Sequence, residues 1–290
     1  MDRAMSQMAP GTDVTRVQRF LTSNVGYINY RYGVTYDQHT RVRSGFIGFG
    51  LMDESSPDTW TYDRLIPNDS IFVFPHDYSL KAALPAGFSA HSLIFNEDFM
   101  VNLVENVHRR PLSALLPAAG MHRSDPIKLG ELRAELQKWR QMAIYQADTR
   151  SAIVSRREES LALAVIDTLT DNAPFEKEAL RSSDRSITKA LEIIHSSEME
   201  NISAVKLSGY TECSQRTLEK AFLKRFGVTT KKYIKCLRLA QVHRGLRDFD
   251  RQDCDSIIEL AGIHGFWHMG QFAKDYRQFY GELPSETLKK

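Results

Sequence analysis

Ser203-Ala-Val-Lys-Leu207-Ser-Gly-Tyr-Thr-Glu-Cys-Ser214-Gln-Arg-Thr-Leu218-Glu-Lys-Ala-Phe222-Leu-Lys-Arg-Phe226-Gly227 is echoed later by Ser256-Ile-Ile-Glu-Leu260-Ala-Gly-Ile-His-Gly265-Phe-Trp-His-Met-Gly-Gln-Phe272-Ala-Lys-Asp-Tyr276-Arg-Gln-Phe-Tyr280-Gly281. Leu207 matches Leu260 at an offset of 53. Leu218, Phe222, Phe226 and Gly227 match Phe272, Tyr276, Tyr280 and Gly281 at an offset of 54. The slip of one residue falls in the turn, where an insertion costs least. Each copy predicts a short supporting helix, a tight turn and a second helix.

Two such units in one short domain imply sequence-specific binding of double-stranded DNA, because the second helix of each is shaped to enter a major groove. In the first unit, Ile202, Val205 and Leu207 hold the supporting helix, and Ser214 is a good N-cap for the reader helix. Leu218, Phe222 and Phe226 face inward at four-residue spacing. That leaves Gln215, Arg216, Glu219 and Lys220 as base-edge candidates: Arg suits guanine, Gln adenine, and Glu accepts from cytosine. Ser214, Lys224, Arg225, Lys231 and Lys232 are candidates for phosphate contacts. Gly227 is placed to end the helix in a left-handed conformation. In the second unit, Ile257, Leu260, Ala261 and Ile263 support, and Phe272 and Tyr276 anchor the reader. Trp267, His268, Met269, Gln271 and Lys274 are its base-edge candidates. Between the units, Tyr233–Arg247 predicts one helix with Ile234, Leu237, Ala240 and Leu246 inward.

Charge supports this reading. Residues 186–290 carry 17 Lys and Arg against 13 Asp and Glu, whereas residues 1–185 carry 21 against 23. Eight basic residues and one acid, Glu219, lie between Arg216 and Arg238, a stripe that attracts phosphates. With 290 residues, two domains are expected. No apolar run is long enough to span a membrane. Residues Met1–Asp13 lack the features of a signal peptide, so a cytoplasmic location is expected. Cys213, Cys236 and Cys254 stand far apart with no Cys-x-x-Cys, which argues against a disulfide framework and a zinc site.

The N-terminal part reads as an α+β domain over 1–170. Its β-region runs from about 24 to 95. Tyr27–Tyr32, Thr35-Tyr36, Phe46–Met52, Thr59–Tyr62, Ile71–Phe74 and Ser89–Phe95 are the expected strands, and Leu65–Ser70 is a turn. Short strands at this spacing suggest a small barrel or sandwich. Its many aromatics either fill the core or line a ligand-sized cavity. Helices follow over 96–170. Asn96 caps the first, a second runs from about Asp125 to Gln146, and a third from about Ser151 to Leu169. Leu129, Leu132, Leu136 and Trp139 form a stripe that either packs on its own domain or makes a dimer face. Residues 171–185 lack an apolar period and read as a linker to an all-α domain over 186–290.

These residues resemble the AraC/XylS family of bacterial transcription regulators. Gly265-Phe266, Phe272, Tyr276, Gly281 and Pro284 follow its C-terminal signature, and Ser214–Leu218 with Phe222 match its first reader helix. The resemblance covers 186–290. Gly270 stands where the family usually has a polar residue, and glycine there weakens the helix by about 1 kcal/mol relative to alanine. The strands and helices of the N-terminal half, with the step Leu65–Phe74, look like the cupin-like sensor domain found in part of the family. The resemblance implies an activator that binds DNA as a homodimer, has RNA polymerase as a partner and answers to a small-molecule effector of unspecified chemistry.

Two other readings compete. A cupin-like enzyme with an appended DNA-binding module would need histidines converging with a carboxylate. His39, His76 and His91 are scattered, with no His-x-His, so no cofactor is expected. His264 and His268 straddle a turn without an evident third ligand, so no metal is expected there either. DNA repair by alkyl transfer would need an activated thiolate, for which no cysteine has a paired base in sequence.

Overall fold

The computed structural model describes residues 2–11, 15–61, 64–145, 152–170, 182–196, 202–249 and 256–289. Tyr62, Cys254 and residues 171–181 of the expected linker lie outside them. The N-terminal half is built of eleven strands among the described residues: β1 Asp2–Gln7, β2 Arg16–Leu21, β3 Val25–Arg31, β4 Tyr36–Arg41, β5 Phe46–Met52, β6 Thr59–Thr61, β7 Leu65–Ile66, β8 Ser70–Phe74, β9 Ser79–Leu84, β10 Ser89–Asn96 and β11 Gly120–Arg123. They form two open antiparallel sheets, ordered β1-β4-β9-β6-β7 and β11-β8-β5-β10-β3-β2. Of the expected barrel or sandwich, the barrel is corrected: neither sheet closes on itself, and the architecture is two faced layers.

The alternation of β5 shows how the layers are made. Ile47, Phe49 and Leu51 join one apolar cluster, and Met52 joins another. Across the second face, a Cβ on Gly48 would meet Val42 at 3.1 Å and Phe74 at 3.3 Å, and one on Gly50 would meet Phe74 at 3.1 Å. The glycines leave room for the stacked rings of Phe72 and Phe74, whose centroids lie 4.6 Å apart. Phe72 and Phe74 fill the space between the sheets together with Tyr30, Tyr32 and Phe88. What remains there is a cavity of about 60 Å³, well below the roughly 300–1,000 Å³ of small-molecule sites.

The other face of the six-stranded sheet is covered by helices α1 Glu97–His108, α2 Pro126–Tyr145 and α3 Ala152–Leu169. Asn96 caps α1, accepting a hydrogen bond from the amide of Phe99 at 3.0 Å. Leu129, Leu132, Leu136 and Trp139 of α2 are at most 1% exposed and join Tyr27, Phe49 and Leu161 in one core. They are therefore no dimer face, because the sheet beneath offers them an apolar surface within their own chain. Glu158 of α3, also buried, accepts from the backbone N–H and the side-chain amide of Asn24, at 3.1 and 2.9 Å, and ties α3 to the β2–β3 turn.

The C-terminal half is helical: α4 Ser182–Ser196, α5 Ala204–Tyr210, α6 Gln215–Phe226, α7 Thr230–Arg247, α8 Ile257–Ile263, α9 Met269–Tyr280 and α10 Pro284–Thr287. Helix α4 begins inside the stretch read as linker. Its apolar residues Ile187, Leu191 and Ile194 are buried with Leu218 and Phe222 of α6.

Two predictions follow from this packing. Leu136→Ala should lower the unfolding free energy by about 2–5 kcal/mol in chemical denaturation, with no change in sedimentation behaviour; weakened self-association at unchanged stability would reinstate the dimer face. The second concerns Asp53, which accepts from His91 Nε2 at 2.6 Å and from the hydroxyl of Ser89. Burial raises its carboxyl, but the bonds from His91 and Ser89 outweigh burial and bring it from 3.8 down to about 2. Its folded value being depressed, the stabilisation is present above pH 4 and lost as pH falls toward 2. Between those pH values, the native protein should lose about 2 kcal/mol more stability than Asp53→Asn; equal acid slopes would show that the pair contributes nothing.

Candidate DNA interface

Short helices need their exposed amides satisfied, and serine and threonine do this at the starts of α5, α6, α7 and α8. Ser203 Oγ accepts from Lys206 N at 3.3 Å, Ser214 Oγ from Thr217 N at 3.1 Å, Thr229 Oγ1 from Lys232 N at 3.3 Å and Ser256 Oγ from Glu259 N at 3.1 Å. Helices α6 and α9 end at Gly227 and Gly281, both left-handed, with φ of 69° and 77°. The turn between α5 and α6 spans 211–214 and that between α8 and α9 spans 264–268. The extra residue thus sits in the turn, as the offsets required. Each turn passes through a left-handed residue, Glu212 in the first and Gly265 in the second.

The two units share α7. Phe222 and Phe226 of α6 pack on Tyr233, with ring centroids 4.9 and 4.6 Å away. On the other side, Tyr276 of α9 bonds His243 Nδ1 at 2.6 Å and Thr287 Oγ1 at 2.9 Å. Burial pushes the Tyr276 phenol up to about 12, so it stays a neutral member of this network. Arg238, midway along α7, donates to the carbonyl of Ile202 at 3.4 Å. Its guanidinium also lies beneath the second turn, where a Cβ on Gly265 would meet Arg238 Cζ at 3.3 Å. One arginine therefore braces the start of the first unit and the turn of the second.

With the apolar sides held this way, Gln215, Arg216 and Lys220 of α6 are exposed near its N-terminal end, and Gln271 and Lys274 of α9 are exposed likewise. Gln271 Nε2 donates to Asp275 at 3.0 Å. Trp267 is 75% exposed. It lies in the turn, with His268 as the N-cap of α9 and Met269 half-buried in its first turn. Ser214, Lys224, Lys231 and Lys232 are exposed.

Two of the expected DNA contacts are corrected. Arg225 has a side chain only 2% exposed and pairs with Asp184 of α4 at 3.3 Å. It is a buried ion pair holding α4 to α6, not a phosphate contact. Glu219 is half-buried, and its Oε2 accepts from the backbone N–H of Thr230 at 3.1 Å. It caps α7 and is committed to the fold. The basic stripe thins further because Lys235 pairs with Asp275 at 2.6 Å.

The sheet half meets the module at the outer side of β1, β4 and β9. Trp60 of β6 lies under both Lys224 and Arg225, 4.8 Å from each. The Tyr233 hydroxyl donates to Asp37 Oδ2 at 2.8 Å. Burial raises the Asp37 carboxyl, but hydrogen bonds from His195 and His39 outweigh burial and hold it well below the usual range. Neither Asp37 nor His195 was singled out from sequence.

The histidines of the enzyme reading do not converge. His91 is buried against Tyr27 and Asp53, His76 lies 3.5 Å from Glu97, and His39 is on the opposite sheet. Cys236 is buried, its thiol pushed up to about 12 by burial, the reverse of an activated nucleophile.

Two braced reader helices on one connecting helix define a tandem helix-turn-helix module. A family model described as a helix-turn-helix domain matches residues 207–290. The XylDLEGF operon transcriptional activator of Pseudomonas putida is 34% identical over 113 residues, which is 39% of this chain and 35% of that protein. The XylDLEGF operon transcriptional activator 2 of the same organism is 30% identical over 128 residues, 44% of this chain and 80% of that protein. A solved structure of a probable AraC family transcriptional regulator from Rhodopseudomonas palustris is 34% identical over 36% of this chain and 94% of its own, with a TM-score of 0.33. This chain belongs to the AraC/XylS family. It spans about a third of the length of the first curated relatives it matches.

Arg225→Ala should cost about 3 kcal/mol of stability by leaving Asp184 unpaired, as read by denaturant titration. A variant of native stability that bound DNA more weakly would return Arg225 to the phosphate contacts.

Proposed function

We propose that this protein is a sequence-specific, DNA-binding regulator of transcription, acting as an activator and not as an enzyme. One observation carries the reading: Gln215, Arg216 and Lys220 of α6, with Gln271 and Lys274 of α9, are exposed on helices whose opposite faces are locked onto α7. Rigid helices bearing exposed Arg and Gln near their N-terminal ends are the chemistry of base readout in a major groove. Lys231 and Lys232 supply sequence-independent attraction to phosphates. The printed names of the relatives describe operon activators, which supports activation and RNA polymerase as a partner.

The N-terminal half acts as the sensor and dimerisation domain, on a cupin-like two-sheet scaffold. A homodimer would use the outer side of α2 and α3, where Ile144, Tyr145 and Ile153 are 45%, 78% and 67% exposed. A small-molecule effector between the sheets would have to part the rings of Phe72 and Phe74, given the cavity there. Among the described residues no helix is long and apolar enough to cross a membrane, in keeping with a regulator working on DNA in the cytoplasm.

Arg216→Ala should weaken binding of a selected duplex by roughly 5- to 150-fold and relax preference at one base pair. Lys231→Ala should weaken all duplexes alike and lower the salt dependence by about one counterion. Fluorescence anisotropy across a set of base-substituted duplexes and several salt concentrations separates the two. Equal, sequence-blind effects of both substitutions would remove the base-reading role.

A further inference from the structure

Three metal-ligating side chains from distant parts of the chain meet where the sheets abut the module. Asp37 and His39 stand on β4 with one residue between them, so both side chains leave the same face of the strand. His195 comes from the last turn of α4. Asp37 Oδ2 lies 3.1 Å from His195 Nε2 and 3.7 Å from His39 Nε2. The two imidazoles face each other with centroids 4.3 Å apart, and the three donor atoms all fall within 4.8 Å of one another. A tetrahedral ion with bonds of 2.0–2.1 Å needs donors about 3.3 Å apart, so small side-chain shifts suffice.

The geometry points to a divalent transition-metal site of the zinc class, formed by Asp37, His39 and His195, that staples the sheet half to the DNA-binding module. Two imidazole nitrogens and one carboxylate oxygen are a donor set that zinc takes when water completes the shell. The carboxylate is in place before any ion arrives: Asp37 is 2% exposed, and Tyr233 of α7 donates to its Oδ2 at 2.8 Å. A hydrogen bond of this kind orients a ligating carboxylate. A cavity of about 200 Å³ beside the three residues, lined also by Ser6, Gln241 and Arg244, gives room for the ion and its water. Arg244 also lines this cavity and repels a cation there, and the Asp37 carboxylate is the charge that offsets it. Among the described residues this is the one group of three such side chains close enough to share an ion. It goes beyond the regulator reading and does not depend on it, since metal binding is measured without DNA.

The test uses the full chain, stripped with a chelator and titrated with zinc against a chromophoric competitor, with metal content read by elemental analysis. One zinc per chain is expected, with a rise in the unfolding temperature of the native protein. His195→Ala and His39→Ala should each weaken binding at least tenfold and abolish that rise. His39 lies at a partly exposed position on β4, so its substitution keeps the test decisive should His195→Ala fail to fold. Cobalt(II) in place of zinc should give the visible absorption of a four-coordinate nitrogen–oxygen site in the native protein and not in His39→Ala. Zinc taken up at less than one per chain, or with equal affinity by the native protein and His39→Ala, overturns the assignment and leaves the three residues as a hydrogen-bonded cluster only.

Discussion

Helix α7 has almost no free side. Tyr233, Ile234, Cys236, Leu237, Leu239, Ala240, Val242 and Leu246 are all buried, facing α6, α8, α10 and β1 in turn. A helix apolar on so many sides is stable only when surrounded, and each reader unit owes its orientation to this shared support. Neither α5 nor α8, at seven residues each, would hold its shape alone in water. The spacing of the units is therefore a property of one rod, 18 residues long, or about 27 Å.

The same rod joins the two halves of the protein. Tyr233 packs on Phe222 and Phe226 through its ring and reaches Asp37 through its hydroxyl. Cys236 donates to the carbonyl of Met8 at 3.5 Å, and Gly11 N–H to the carbonyl of Phe279 at 3.2 Å. A force that shifts the five-stranded sheet is thereby felt at the base of the first unit. Coupling of this kind needs a contact that differs between two states, and the seam at β1, β4 and β9 is where the chain offers one.

Most of the helical module is legible in sequence, because caps, left-handed glycines and four-residue apolar spacing are all local signals, but α4 starts inside the stretch read as linker and α7 starts three residues before Tyr233. Ser214 and Gly227 each do what their position announces. The sheets were half legible. Strands β5, β8 and β10 stand out by composition, but β1 and β2 fall upstream of the expected β-region, and β9, Ser-Leu-Lys-Ala-Ala-Leu, lacks the β-branched residues that mark a strand. Arg225 and Glu219 were misplaced for another reason. Their spacing puts them on a helix surface, and only tertiary structure decides whether that surface meets water, Asp184 or the start of α7. The stripe on α2 was ambiguous in the same way, since an apolar face does not name its partner. Asp37 and Tyr233 are 196 positions apart, and no pattern in a single sequence connects them.

The chain holds three tryptophans, and the fold has sent them to three environments. Trp139 is sealed in the helix-covered core, Trp267 is open to solvent in the second turn, and Trp60 is wedged at the seam beneath two cationic side chains. Indole emission is sensitive to wetting and nearby charge, so the molecule carries its own optical gauges. One reports on the interior, one on the surface and one on whether its halves stay shut.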